Sequence, residues 1–367
     1  MQIALTKKLA EAIGVKPTRA DNTINPLFSW TANWTNTFDR RKEDMIVIMN
    51  NATRFTVTIY GVKHNQFKNI ANKMVAAIRN TLLAMRLSPE MVDEYLQQAG
   101  AVEYCSNNDR KLTASVNHHG LNAALIVGRM VNESRGAVKY NNTWGHIVSR
   151  RPVNYSNTYE DSYVPAEKMT KALAELTGKP AYKYRAFELR VTLDLEIYKA
   201  VRRLIVPADI EFVDLHKSLQ RVFQWKNYHL HDFTVFGNKP LATIARIVMS
   251  EEDLAYESDA VLEEGQKLSD YFPQYKHMLY TYDMGDDWEH KIELVRVIEE
   301  HNAESPYLLE AIGQTPPEDV GGVGGFLDFR EIMLNPEHPD YAETKEWVGY
   351  WSPELSKWAA MPQVIID

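Results

Sequence analysis

The sequence predicts an α+β protein of two domains. Three observations carry this. Apolar residues recur with period two in some stretches and period 3.6 in others, and both kinds occur in each half of the chain. The 367-residue length is well beyond one ordinary domain. The charge also switches: residues 1–180 hold 23 basic and 15 acidic side chains, net +8, whereas 181–367 hold 18 and 34, net −16. The expected boundaries are an N-terminal α+β domain at 1–150, a linker with a short helix at 151–180, and a C-terminal α+β domain at 181–367.

The first half opens on the strand "MQIAL" and the helix "TKKLAEAIG", stopped at Gly14. "DMIVIMN" and "RFTVTIYG" are β-rich runs separated by "NNAT", a hairpin pattern. Phe67, Ile70, Met74, Ala77, Ile78, Leu82 and Met85 then keep one helical face. Lys68, Arg79 and Arg86 fall on its flank and read as a solvated edge rather than a phosphate-contacting stripe. "LSPEMVDEYLQQAG" is a helix with Ser88 as N-cap, Pro89 at its first position and Gly100 past its end. "NHHGLNAALIVGRMV" is a third helix, on which adjacent His118 and His119 diverge and make a poor metal pair. The polar, Tyr-rich "RRPVNYSNTYEDSYVPAE" reads as linker, followed by a helix over 166–176.

The second half begins with the strands "YRAFELRVTLDL" and "IYKAVRRLIVPAD". An amphipathic helix follows, with Phe212, Leu215, Leu219 and Val222 as its buried stripe. "HLHDFTVFG" is a strand. The acidic 251–270 reads as a loop plus an Asp- or Ser-capped helix. "HMLYTYDM" and "WEHKIELVRVI" are strands around an acidic knot. "FLDFREIMLNP" is a helix after a Pro/Gly-rich loop.

Composition bounds the setting. With 45% hydrophobic and 25% charged residues the chain is an ordinary globular one. Cys105 is its one cysteine, which excludes an internal disulfide and suits a reducing compartment. No run is long enough to span a bilayer, and "MQIALTKKLAEAIG" lacks the order of a signal peptide. The five Asn-x-Ser/Thr sequons therefore read as chance, and a cytoplasmic protein with no membrane partner is expected.

The knot is Asp283-x-Gly285-Asp286-Asp287-Trp288-x-His290. Gly285 is expected to supply a positive φ. Trp288, His290, Ile292 and Leu294 share an apolar strand face, where a histidine is most often a hydrogen-bonded core residue. Asp286 and Asp287 could accept backbone N–H bonds and hold a turn, form a ligand or partner site, or converge on a metal. A strand cannot aim neighbours at one point, so a site needs groups from elsewhere. Glu318 and Asp319 come first, then His216 and His229, with Arg203 as a neighbouring cation. His229 and His231 share one strand face and could form a second, weaker metal pair, which His216 on the preceding helix could approach. The spacing is neither a calcium loop nor a helical His-Glu-x-x-His, so no tightly bound metal is expected and the cofactor stays unknown. "PPEDVGGVGGF" lacks the Gly-Lys-Ser/Thr ending of a phosphate loop; its glycines read as allowing close approach to another element. Nothing marks a Ser-His-Asp or Cys-His arrangement. In the basic half, "FSWTANWTNTFDRRK" interleaves aromatics with Arg40, Arg41 and Lys42, which is compatible with base stacking plus phosphate contact.

Taken in order, "FELRVTL", "RRLIVPAD", "LHKSLQRVFQW", "HLHDF", "YTYDMGDDWEHKIEL", "PPEDVGGVGGF" and "NPEHPDYAETKEWVG" resemble the family named after the plasmid pRiA4b open reading frame three, over about 181–360. The resemblance implies a curved, mostly antiparallel sheet packed with helices, and a link to mobile elements in some members; it implies no agreed activity. The chain departs from the family pattern at "VRRLIVP", where many members carry Trp-Arg-Arg, and at Glu211, where a Thr usually caps the helix. "TKKL", "SWTANWTNTFDRRK", "MIVIMNNATRFTV" and "NNDRKLTASVN" resemble a bacterial domain of unknown function. The expected role is a binding or accessory protein with an acidic site at the knot for a small ligand or protein partner. The alternatives are a metal-dependent hydrolase or nuclease using the same Asp, Glu and His residues, and a nucleic-acid-binding N-terminal domain.

Overall fold

The computed structural model describes all residues except 38–41, 107–108, 135–136, 155–161, 238–241, 256–259, 350–358 and 366–367. The chain is α+β and divides into two compact units, Met1–Lys183 and Tyr184–Asp367.

The first unit runs β1 (Gln2–Leu5), α1 (Lys7–Ile13), β2 (Ser29–Thr35), β3 (Met45–Asn50), β4 (Thr56–Tyr60), α2 (Ile70–Ala84), α3 (Pro89–Ala99), β5 (Glu103–Ser106), α4 (Arg110–Glu133), α5 (Gly145–Ser149), the short pair β6 (Val153–Asn154) and β7 (Ser162–Tyr163), and α6 (Pro165–Thr177). Among the described residues its main sheet has the order β4-β3-β2-β1-β5, with β1 parallel to both neighbours. β3 and β4 form the expected hairpin, and the Asn50 side chain accepts the Ala52 and Thr53 N–H groups in its turn. β2 is a strand that no alternation announced. Ser29, Trp30, Thr31 and Ala32 are buried in succession, as befits a central strand covered on both faces. α2 buries Met74, Ala77, Ile78 and Leu82, and Arg79 on its flank pairs with Asp93 of α3. Ser88 caps α3 through the Met91 N–H, 3.4 Å away. α4 starts earlier than its apolar face suggested, because Asp109 accepts the Lys111 and Leu112 N–H groups. His118 and His119 do diverge, the first exposed and the second buried. α6, from the segment read as connector, buries Met169 and Leu173 within this unit.

The second unit runs β8 (Tyr184–Asp194), β9 (Lys199–Pro207), α7 (Phe212–Phe223), β10 (His231–Phe236), β11 (Thr243–Val248), β12 (Ala260–Leu262), β13 (His277–Tyr282), β14 (Trp288–His301), β15 (Tyr307–Ile312), α8 (Gly322–Leu334), α9 (Tyr341–Val348), β16 (Ala359–Ala360) and β17 (Gln363–Val364). The strand order is β12-β11-β10-β13-β14-β8-β9-β15-β16, with β17 also on β15. The pairs are antiparallel except β11 with β12. One sheet face carries Leu189, Val191, Leu204, Phe233, Tyr280, Trp288 and Ile292 into a core shared with Phe212, Leu215, Leu219 and Val222 of α7 and Phe326 and Phe329 of α8. Glu211 makes no side-chain cap at the start of α7; the Phe212 N–H donates instead to the Gln266 carbonyl. The helix expected within 251–270 does not form among the described residues. Ala260–Leu262 instead completes the exposed edge of β11, and two short 3₁₀ turns, Asp253–Ala255 and Leu268–Asp270, flank it. The acidic run has no apolar stripe to hold a helix, whereas an open strand edge offers backbone partners at once.

Candidate functional site

β13 and β14 pair as far as Tyr282 opposite Trp288, so Asp283–Asp287 is a tight connection at one end of the sheet. The Asp283 carbonyl accepts the Asp287 N–H at 2.7 Å. The left-handed residues here are Asp283 (φ 61°) and Asp287 (φ 55°), not Gly285 as expected. Aspartate tolerates this conformation because its short side chain bonds the local backbone. Asp283 Oδ1 does so, accepting Gly285 N at 2.9 Å and Asp286 N at 3.3 Å. A Cβ at Gly285 would stand a tight 3.3 Å from that same oxygen.

Two other segments close on the connection. The first leads into β10. Its Leu230 carbonyl accepts the Asp283 N–H, and its Tyr228 N–H donates to the Tyr282 hydroxyl. The second precedes α8. Its Gly321 N–H donates to Asp286 Oδ2 at 3.0 Å, and Gly322 lies so near that a Cβ would meet the Asp286 carbonyl oxygen at 2.5 Å. The glycine pair thus allows this segment to lie close against the connection. Glu318 Oε1 accepts the Lys226 N–H and lies 3.3 Å from the Tyr282 hydroxyl. Burial, with Glu318 alongside, pushes Tyr282 up to about 12, so it stays a protonated donor.

His229 is the meeting point. Its Nε2 lies 2.9 Å from Asp319 Oδ1, 3.5 Å from Asp283 Oδ2 and 3.8 Å from Glu318 Oε2. That nitrogen is shielded from solvent yet makes no aligned hydrogen bond. For Asp283 and Glu318 the pattern is alike. One oxygen is held by N–H or O–H donors and the other is turned to the imidazole, with the Tyr282 hydroxyl also 3.4 Å from that second oxygen of Glu318. His229, Asp283 and Asp319 offer ligand atoms within 4.8 Å of one another, the one such metal-capable grouping among the described residues. A nitrogen donor with carboxylate oxygens suits Mn, Fe or Zn, and the same oxygens suit an ammonium or guanidinium group.

The remaining candidates sit elsewhere. Trp288 and His290 are fully buried, facing the core. His290 Nδ1 lies 2.8 Å from the Trp288 carbonyl oxygen, and its Nε2 accepts from Trp225 Nε1 at 3.3 Å. Burial drives its pKa down to about 4, so it is a neutral core histidine. Asp287 is exposed at the turn. His216 is not at the site. It stacks on His231 with ring centroids 3.5 Å apart, and its nitrogens lie 2.8 Å from the Tyr280 hydroxyl and Asn227 Oδ1. His229 and His231 do not form a pair either, since His231 Nε2 turns to Glu263 at 3.0 Å. Arg203 is not the neighbouring cation; it pairs with Glu188, which Arg296 also contacts. The residue that sequence reasoning passed over is Tyr282. It follows Tyr280 at period two, and its hydroxyl ties the three segments together.

Of the nucleic-acid candidates, Arg40 and Arg41 lie outside the described residues, and Lys42 is exposed ahead of β3. Trp30 is fully buried with its Nε1 donating to Tyr95, and Trp34 packs edge-on against Phe67. Base stacking would need those rings free. No helix among the described residues is long and apolar enough to cross a membrane.

Similarity to known proteins agrees with two separate halves. Residues 185–359 match the plasmid pRiA4b ORF-3-like proteins, and residues 2–168 match a domain of unknown function, DUF6933. An uncharacterized protein of Sinorhizobium fredii, y4hQ, is 36% identical over 172 residues, which are 44% of this chain and 79% of that protein. A crystal structure of a protein of unknown function from Methanosarcina mazei, MM3350, aligns with 48% of this chain and 100% of its own, at 31% identity and a TM-score of 0.41.

Proposed function

Starting from a chain that belongs, through residues 185–359, to the plasmid pRiA4b ORF-3-like family, we propose that it is a binding protein whose C-terminal unit takes a positively charged group at the acidic tip of its sheet. One observation carries this reading. Asp283 Oδ2 from the strand connection, and Glu318 Oε2 and Asp319 Oδ1 from the segment before α8, converge on one buried imidazole nitrogen that makes no aligned hydrogen bond. Gathering carboxylates in a half-buried place is unfavourable without a compensating cation or donor. The side chain of Asp319 is 61% exposed, which gives a ligand entry and makes its binding exchangeable. The plasmid in the family's description supports an accessory role tied to a mobile element.

Calorimetric titration with manganese chloride, arginine methyl ester and butylamine tests the site. At least one of these should bind saturably at a stoichiometry near one. Asp319→Asn and Glu318→Gln should weaken it about tenfold or more, the loss expected for a charge-assisted contact. Absence of saturable binding by all three cations, or unchanged binding by both folded variants, overturns the reading.

A further inference from the structure

Next to the acidic tip lie three exposed apolar side chains. Tyr228 is 71% exposed, Leu230 54% and Met284 44%. The backbone places them together. The Leu230 carbonyl accepts the N–H of Asp283, the residue before Met284, and Tyr228 is two residues from Leu230, anchored through its N–H to Tyr282. His229 lies between Tyr228 and Leu230 in sequence, so the short piece of chain that brings the imidazole to the carboxylates also presents the two exposed apolar side chains. A bare metal ion would use the carboxylates and leave this patch without a role. Clustered exposed apolar residues beside a charged focus are what a protein interface presents.

We infer that the tip docks a protein segment carrying a Lys or Arg next to apolar residues. The cationic head enters among Asp283, Glu318 and Asp319, and the apolar neighbours cover Tyr228, Leu230 and Met284. Charge complementarity favours this occupant. Residues 181–367 carry a net charge of −16, which draws a basic partner to this unit before contact. An arginine fits better than a lysine, since a planar fork can address two carboxylates at once. This inference rests on the cation-site reading above and adds the identity of the partner.

The test uses the full chain and an array of immobilised nonapeptides with a central Arg or Lys between apolar residues, each beside a Gln-centred counterpart and a Ser-flanked counterpart. Binding should favour the cationic, apolar-flanked peptides by about tenfold over both counterparts. It should weaken as salt rises from low to physiological levels. Asp319→Asn and the double variant Leu230→Ser, Met284→Ser should each reduce it several-fold, while thermal unfolding of both stays that of the parent. Equal capture of Gln-centred peptides, or binding indifferent to both variants, overturns the inference. Binding of manganese or arginine methyl ester with no peptide preference removes the protein partner but leaves the cation site standing. Failure of every probe removes both.

Discussion

Asp283 combines turn-forming and site-forming roles in one side chain. Its φ of 61° is unfavourable for most residues, and its Oδ1 offsets that cost by accepting two N–H groups of the turn. Its Oδ2 remains turned to His229. Replacing it with Ala removes the local acceptor and leaves the strained backbone, so Asp283→Ala should lower stability by about 1–3 kcal/mol. Asp283→Asn keeps the acceptor and the tolerance for φ > 0, and should cost well under half as much. Urea denaturation of the two variants checks this, and equal losses would show that the side chain does not hold the turn. The carboxylate spacing 283-286-287 was visible in the chain, and the period-two face correctly placed Trp288 and His290 inward. The chain also points to Glu318, Asp319 and His229 as partners of the knot, but it offers His216 beside His229, because nothing local to either histidine tells which one the fold brings to Glu318 and Asp319.

At the level of elements, α7 and β14 bring neutral histidines into the core. Burial, then the stacked His231, drives His216 down to about 4, against the rising influence of Asn227 and Glu263. Burial does the same to His290, with Arg202 adding to it. Both folded values lie below the ordinary value of 6.5. Below pH 6.5 the unfolded chain therefore binds protons that the native one refuses. The stability these groups contribute is whole above about pH 6.5 and is lost progressively as pH falls towards 4. Each site contributes on the order of 1.4 kcal/mol per pH unit within that window. The urea midpoint of the protein should thus fall steadily from pH 6.5 to 5. His216→Gln, which keeps polar contacts without a titrating ring, should flatten the decline. A midpoint constant across that range would mean that the rings protonate without penalty. The same elements show what sequence periodicity can reach. The buried stripe of α7 was legible because one face packs and the other is wet. β2 was not, because a strand covered on both sides loses its alternation, and β12 was not, because an edge position and not its own residues recruits it.

For the whole molecule, the α+β class followed from mixed periodicities, and the switch in charge gave the expectation of two domains. What composition could not say is which side of the join the Pro165–Thr177 helix serves. Met169 and Leu173 are fully buried within the unit Met1–Lys183, so their burial is satisfied there. The second unit has a core of its own, running from Phe187 to Ile365. We propose that each unit folds independently. Limited proteolysis of the full chain should cut first between Gly178 and Lys183, the short connection from α6 to β8, rather than in the Tyr-rich stretch before Pro165, which lies inside the first unit. A fragment of 184–367 made alone should unfold cooperatively and retain the cation binding of the full chain, because the groups around His229 all belong to it. A fragment of 1–183 should do the first and not the second. A C-terminal fragment that is unfolded, with no sigmoidal transition in urea, would show that its core depends on residues before Tyr184. The two-domain division would then be one of contacts and not of folding.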